Sequence, residues 1–213
     1  MILYHFPTSP FGRRVRLALA LKGVTAELRD ARSVPEHRAE VQRLNPLHTV
    51  PVLVDGDRVI VDSTAICHYL ERKFPAPPLW PAAMAGAEAF EIMALADAVS
   101  NILSDVGMRY YALHESPHFG QVREVMVGRA QRALDALARR VAGHAKGAPL
   151  CGDSWGGADI AVYCLVTWLE GLPGRARHFP PAGQVLSLGW TTPPALTAWT
   201  DQHRQRTDVA ALG

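Results

Sequence analysis

The stretch NPLHTVPVL, residues Asn45–Leu53, marks the start of a strand in the first third of the chain. Proline is tolerated at the first position of a strand because it has no N–H to donate to the ladder. A cis Val50–Pro51 bond would turn the Val50 backbone outward and leave its N–H and C=O for a ligand. Only about 5–6% of X–Pro bonds in folded proteins are cis, so the sequence alone leaves the isomer open.

The segments around this stretch alternate between strand and helix patterns. Residues Asp55–Asp57 read DGD between two apolar runs, which is a hairpin signal. Ser9 before Pro10 is typical of a helix start, and Gly23 of a helix end. The predicted elements are the strands Met1–His5, Ala26–Asp30, Pro51–Val54 and Arg58–Val61, and the helices Pro10–Leu21, Pro35–Leu44 and Ser63–Phe74. Their order, βαβ followed by α and ββα, predicts a mixed α/β domain over residues 1–76.

A proline-dense segment, Pro75–Pro81, follows this domain and should be extended and stiff. We predict a linker over residues 77–82 and an all-α domain over residues 83–213. The segment Ala158–Leu169 is apolar nearly all round, so we expect it to be a buried helix. The predicted helices of the second domain are Ala83–His114, Gln121–Ala142, Ala158–Leu169 and Pro194–Gln205.

Composition excludes several classes of protein. The 213 residues include 22 Lys and Arg against 20 Asp and Glu, a net charge of +2, which is too balanced for dense phosphate contacts with nucleic acid. The most apolar run, Ile160–Leu169, has about half of the roughly 20 residues that a membrane-spanning helix needs. Three cysteines without a C-x-x-C pair, and no leader pattern, lead us to expect a reduced, cytoplasmic protein. The nine histidines show no H-x-x-x-H or H-E-x-x-H spacing, so we expect no metal site.

Two predicted helix starts carry short polar residues that suit anion binding. Thr8 and Ser9 precede the first helix, and Asp62 and Ser63 open the third. The free N–H groups and the dipole of a helix N-terminus stabilise an anion, including a thiolate. Taken one at a time, these residues are better explained as helix caps than as an anion site.

Taken together, three motifs resemble those of the glutathione S-transferase superfamily, and the resemblance covers essentially the whole chain. The pattern S-P-x-x-R-x-V-R is Ser9–Arg16, N-P-x-x-x-V-P-x-L is Asn45–Leu53, and D-S-x-A-I-x-x-Y-L is Asp62–Leu70. The resemblance implies a thioredoxin-like α/β N-terminal domain and an all-α helical bundle as the C-terminal domain. It also implies that Pro51 is cis and that glutathione is bound. The residues expected to contact glutathione are Phe11, His48, Thr49, Val50, Pro51, Asp62 and Ser63.

The resemblance also implies a catalytic hydroxyl at the first helix. Redox relatives carry C-P-x-C at this position, whereas here Ser9-Pro10-Phe11-Gly12 contains no thiol. Disulfide exchange through a protein cysteine at this site is therefore excluded. A serine hydroxyl instead donates to the sulfur of bound glutathione and stabilises its thiolate. Our order of preference for this hydroxyl is Ser9, then Thr8, then Tyr4.

The implied function is that of a homodimeric glutathione transferase acting on a small hydrophobic electrophile. One alternative is a glutathione-dependent isomerase or dehalogenase. Isomerases of the zeta type usually show S-S-C at the first motif, and Thr8-Ser9-Pro10 lacks that cysteine. A second alternative is a non-enzymatic binding module that keeps the fold for its surface.

Two further residues carry structural expectations. We expect Arg14, on the first helix, to be exposed to solvent. The family's buried helix usually begins with a Ser/Thr-x-x-Asp capping box, in which Asp159 fits but Gly156 replaces the hydroxyl residue. We therefore expect a structural role for Asp159 and a slightly weaker cap.

Overall fold

The computed structural model describes residues 1–206, apart from the side chains of residues 83 and 84. Internal contacts divide them into two compact units, one built on Met1–Pro81 and one on Ala82–His203. The predicted helical domain extends to residue 213, and its last seven residues lie outside the described part of the chain.

The first unit contains a four-stranded mixed sheet with the strands β1 (Ile2–His5), β2 (Glu27–Asp30), β3 (Val52–Asp55) and β4 (Arg58–Val61). Their order across the sheet is β2-β1-β3-β4, with β1 parallel to β2 and the other two pairs antiparallel. The predicted hairpin joins β3 to β4, and Gly56 adopts the left-handed φ of 58° that this turn requires. The predicted α/β organisation is confirmed.

Three helices cover this sheet: α1 (Pro10–Leu21), α2 (Pro35–Leu44) and α3 (Ser63–Lys73). Successive residues of a strand point to opposite faces of the sheet. Tyr4 and Val52 pack with Ala31 and with Val41 of α2 on one face. Leu3, the neighbour of Tyr4, is also fully buried. Helices α1 and α3 pack against each other.

The second unit is helical, and the structure describes no strand between residues 82 and 206. Its helices are α4 (Ala83–Ser104), α5 (Phe119–Ala142), α6 (Gly157–Glu170), α7 (Leu172–Ala176), α8 (Pro180–Leu186) and α9 (Pro194–His203). Helix α4 packs against both α5 and α6. All of α6 from Gly157 to Leu169 is buried, which confirms the prediction for the apolar segment. Within residues 1–206, no helix combines the length and the apolar character needed to span a bilayer.

The helices differ from the prediction in two places. The helix predicted over Ala83–His114 ends at Ser104 and continues as a π-helical turn, Asp105–Arg109. A Cβ at Gly107 in this turn would lie 2.6 Å from Cγ2 of Val185, so glycine permits α8 to approach the backbone. The short helices α7 and α8 were not predicted, because five and seven residues are too few for a helical period to stand out.

Asp159 joins the start of α6 to the loop before it. Its carboxylate accepts hydrogen bonds from the backbone N–H groups of Leu150 and Gly156, each at 2.9 Å, and the residue is 1% exposed. Gly156 has no side chain, so the reciprocal half of a capping box is missing. The carboxylate therefore supplies the side-chain part of this cap.

Candidate functional site

The hydroxyl of Ser9 lies at the start of α1. Its oxygen accepts a hydrogen bond from the backbone N–H of Gly12 at 3.3 Å, as expected of an N-cap. Because the oxygen accepts this bond, the hydroxyl proton remains to be donated elsewhere. Ser9 is half-buried and Thr8 is exposed. Ser9 therefore combines a fixed hydroxyl with the positive end of a helix dipole.

Tyr4, the third candidate for the catalytic hydroxyl, belongs to the core of the first unit. The residue is 3% exposed, and its hydroxyl accepts a hydrogen bond from Arg29 Nη1 at 2.9 Å. Arg29 also donates to the carboxylate of Glu27 at 2.7 Å. The hydroxyl of Tyr4 thus has a structural partner, and the geometry favours Ser9 and Thr8 over it.

The Val50–Pro51 bond directly before β3 is cis, as the resemblance implies. Among the described residues, no hydrogen bond engages the backbone N–H of Val50. This peptide group therefore offers a donor to an extended ligand, in the manner of an added strand.

A buried asparagine shapes the loop before this bond. Asn45 is 1% exposed, and its Nδ2 donates to the carbonyl oxygen of Thr49 at 2.8 Å and to Oγ1 of Thr49 at 3.1 Å. Its Oδ1 accepts from the backbone N–H of Leu47 at 3.0 Å. Between them His48 adopts a left-handed φ of 53°. The sequence pattern indicates no role for Asn45 beyond its place in the motif, because its three hydrogen bonds depend on the folded loop.

A cavity of about 170 Å³ lies beside this loop and is lined by Phe6, Ala31, Arg38, Val41, Gln42 and His48. The guanidinium of Arg38 lies 5.8 Å from the ring centroid of Phe6 and donates to the carbonyl of Ala31 at 3.3 Å. Arg38, Gln42 and His48 together suit a carboxylate. Arg38 and Gln42 were not among the predicted site residues, although their spacing of four residues places them on one face of α2.

Asp62 and Ser63 begin α3. Asp62 caps the helix, since its carboxylate accepts from the backbone N–H groups of Thr64 at 2.8 Å and Ala65 at 3.0 Å. Its φ of 75° is in the left-handed region, which is costly for a residue other than glycine. Such conformations concentrate at functional sites, where the surrounding structure maintains them.

Arg14 departs from our expectation, because it is buried rather than exposed. The residue is 3% exposed, and its Nη1 donates to Ser63 Oγ at 3.2 Å and to Thr64 Oγ1 at 3.4 Å. Its guanidinium also lies 5.7 Å from the ring centroid of the half-buried Phe11. The prediction was wrong because it weighed only the charge of the side chain. A signal was available: the positions three, four and seven residues after Arg14, on the same face of α1, are all apolar.

These residues meet because three strand ends lie together. Tyr4, near the end of β1, lies opposite Val52 at the start of β3, and Val52 lies opposite Val61 at the end of β4. The segments that follow β1, precede β3 and follow β4 therefore lie close together at one edge of the sheet. The predicted residues placed there are Thr8, Ser9, Phe11, His48, Thr49, Val50, Pro51, Asp62 and Ser63. Elsewhere, no group of three or more His, Cys, Asp or Glu within residues 1–206 is arranged to hold a metal ion.

His5 is a buried titratable group at the end of β1, 5% exposed. Burial lowers its pKa below the ordinary value of 6.5, and the positive charge of Arg16 lowers it further, against a smaller opposing effect of Asp30. The folded state therefore keeps His5 neutral at a pH where the unfolded state binds a proton. It follows that stability is full above about pH 6.5 and is lost as the pH falls through the lowered pKa.

We expect a His5→Leu variant to lose less stability than the wild type between about pH 7.5 and pH 5.5. Chemical denaturation at a series of pH values measures this slope. The control is His118→Leu, at an exposed position, which should keep the wild-type slope. Equal slopes for wild type and His5→Leu would show that other groups cause the acid sensitivity.

Two family profiles match the sequence of this chain. The sequence profile "Glutathione S-transferase, N-terminal domain" matches residues 3–78, and "Glutathione S-transferase, C-terminal domain" matches residues 120–202. The chain belongs to the glutathione S-transferase superfamily. The N-terminal match contains all three motifs, and both units of the fold agree with this membership.

Individual relatives show how far the likeness extends. The chain is 46% identical over 81 residues to glutathione S-transferase Z1 of Arabidopsis thaliana, a match that spans 37% of each protein. A glutathione S-transferase of Methylobacterium radiotolerans in complex with glutathione sulfonate is 26% identical, with a TM-score of 0.73 over 98% of this chain and 92% of that one. A bacterial maleyl pyruvate isomerase of the zeta class is 25% identical, with a TM-score of 0.69 over 100% of this chain and 96% of that one.

Proposed function

We propose that this glutathione S-transferase family member binds glutathione and activates its thiol as a thiolate that attacks a small hydrophobic electrophile. The observation that carries the proposal is the meeting of Ser9, the Val50–Pro51 peptide and Asp62–Ser63 at one end of the sheet. A hydroxyl donor, an unpaired peptide N–H and a helix start are what a thiol-bearing peptide with a charged end requires. The glutathione sulfonate bound to the Methylobacterium relative supports the same ligand.

Each part of glutathione has a proposed partner. The γ-glutamyl ammonium pairs with Asp62 and its carboxylate with Ser63, at the positive end of α3. The backbone of the cysteine residue pairs with Val50 beside Pro51, and Phe11 and Thr49 border the ligand.

The glycine carboxylate of glutathione occupies the cavity that His48 lines with Arg38 and Gln42. Arg38 and His48 would supply basic groups to this carboxylate, and Gln42 would supply an amide donor.

Ser9 would act on the sulfur of the bound ligand. Its oxygen accepts from the N–H of Gly12, and its proton is available to donate to the sulfur and stabilise the thiolate. The thiolate lone pair then forms a bond to the electrophilic carbon, and the leaving group departs with the displaced electron pair. Ser9 forms no covalent bond in this scheme, and Thr8 is the alternative donor. No metal takes part in it.

A second candidate function is glutathione-dependent isomerisation, favoured by the likeness to the zeta-class maleyl pyruvate isomerase over the whole chain. The same thiolate would add to a conjugated double bond, allow rotation about the resulting single bond, and leave again. Glutathione is regenerated, and the electrons balance without an oxidant. A dehalogenase would begin with the same attack, whereas a non-enzymatic binding module would carry out none of these steps.

The test is a titration of the wild-type protein with glutathione, followed by the absorbance of the thiolate. We expect saturable binding below millimolar concentration and thiolate formation at neutral pH. Aryl halides, epoxides and cis-dienoic acids would then separate transfer from isomerisation. If millimolar glutathione does not bind, both enzymatic proposals are wrong and the binding module remains. A homodimer and a cytoplasmic location are typical of the family, and we propose both for this chain.

A further inference from the structure

A buried guanidinium contacts the first turn of α3, where the proposed function places the γ-glutamyl end of glutathione. Arg14 reaches it from α1, and its Nη1 donates to Ser63 Oγ at 3.2 Å and to Thr64 Oγ1 at 3.4 Å. Arg14 is 3% exposed and Ser63 is 2% exposed. These contacts join two helices through side chains alone, and the three motifs do not predict them.

The chemistry of the contact determines how the serine hydroxyl can be used. A guanidinium has five N–H donors and no acceptor, so Ser63 Oγ can only accept from Arg14. A hydroxyl carries one proton, which must then point away from the guanidinium. The proton of Ser63 is therefore left for a ligand, and only one lone pair of its oxygen remains to accept a bond. A carboxylate accepts two or more such bonds, whereas a primary amide or an ammonium presents donors of its own.

The charges around Ser63 reinforce this preference. The carboxylate of Asp62, which is exposed, caps α3 and would repel a second carboxylate. Because Ser63 Oγ accepts a hydrogen bond from a guanidinium, its O–H group is polarised and donates a stronger bond. The arrangement suits a zwitterion, with its ammonium towards Asp62 and its carboxylate towards Ser63.

We propose that Arg14 is a positioning residue that keeps the Ser63 hydroxyl a donor and thereby makes the site select a carboxylate at the γ-glutamyl end of its ligand. The inference rests on the proposed function, because it takes glutathione as the ligand. Arg14 acts through Ser63 and does not itself touch the ligand.

The experiment compares two ligands by calorimetry: glutathione, and glutathione whose γ-glutamyl carboxylate is replaced by a primary amide. The wild type should bind glutathione about thirtyfold more tightly, which corresponds to about 2 kcal/mol, within the range of roughly 1.5–3 kcal/mol for a hydrogen bond to a charged group. Arg14→Met should lose at least about tenfold of this preference, mostly through weaker binding of glutathione. Equal weakening of both ligands would show a merely structural role and overturn the inference.

Three further variants test whether the preference depends on a donor-only cation at position 14. Arg14→Gln removes the cation and offers Ser63 an acceptor as well as a donor, so it should lose the preference as Arg14→Met does, and it replaces that variant if methionine prevents folding. Arg14→Lys keeps a cation that only donates, so it should retain the preference within about threefold. Arg58→Met removes an exposed arginine from β4 and should change neither dissociation constant.

A double-mutant cycle tests whether Arg14 acts through Ser63. In a Ser63→Ala background, Arg14→Met should change the preference by less than about threefold. A full tenfold loss in that background would mean that Arg14 acts on the ligand directly, and the positioning role would be wrong. Absence of glutathione binding by the wild type would instead reject the proposed function, whereas tight binding without preference rejects this inference alone.

Discussion

Replacing Ser9 with alanine should lower the rate of glutathione conjugation by about a hundredfold, in line with the loss of one donor to a developing anion. The Ser9 oxygen accepts from Gly12 N–H, which leaves the hydroxyl proton for the sulfur. Without this donor, the pKa of the bound thiol should rise and less thiolate should form at neutral pH. A pH titration of thiolate absorbance in the glutathione complex measures this without knowledge of the electrophile.

Matched variants separate catalysis from folding. Ser9→Ala also removes an N-cap, which should reduce the free energy of unfolding by about 1 kcal/mol. Ser9→Thr retains both the cap and the hydroxyl and should keep the thiol pKa close to that of the wild type. Thr8→Val, at an exposed neighbour, should have little effect. If Ser9→Ala stays within about threefold of the wild type while Thr8→Val loses activity, Thr8 is the activating hydroxyl.

Replacing Asn45 with alanine should reduce the free energy of unfolding by about 3 kcal/mol, since each of its three hydrogen bonds contributes roughly 1 kcal/mol. The loop that carries His48, Thr49 and Val50 would lose its internal support. Ordering it again on binding should weaken glutathione binding by about tenfold. Urea denaturation measures the first effect and calorimetry the second.

Two further substitutions in the same loop serve as an intermediate variant and a control. Asn45→Asp keeps an acceptor for the N–H of Leu47 but loses the amide donor to Thr49, so its loss of stability should lie between that of wild type and alanine. Leu47→Ala alters a side chain that is 75% exposed and should leave both measurements unchanged. An Asn45→Ala variant as stable as the wild type would contradict the role of this residue in shaping the loop.

Local signals in the sequence predicted much of the fold. The Asp55–Asp57 turn, the proline at the start of α1 and the boundaries of α2 involve residues close together in the chain. Their conformations follow from short-range geometry and capping. The close approach of Val185 to Gly107 in the π-helical turn after α4 could not be predicted in this way, because the two residues are far apart in the chain. The cavity beside His48 likewise depends on where α2 packs.

The two serines of the candidate site also differ in whether their hydrogen-bond partner is near or far in the sequence. Ser9 takes its acceptor role from a group three residues away, so the sequence by itself could predict this cap. Ser63 takes its role from Arg14, 49 residues away. The sequence pattern predicted that Ser63 starts a helix, and the apolar positions that follow Arg14 on α1 indicated a buried face. Which groups the guanidinium of Arg14 contacts depends on the packing of α1 against α3. Only the tertiary structure could decide that, because the partner of a buried charge comes from another part of the chain.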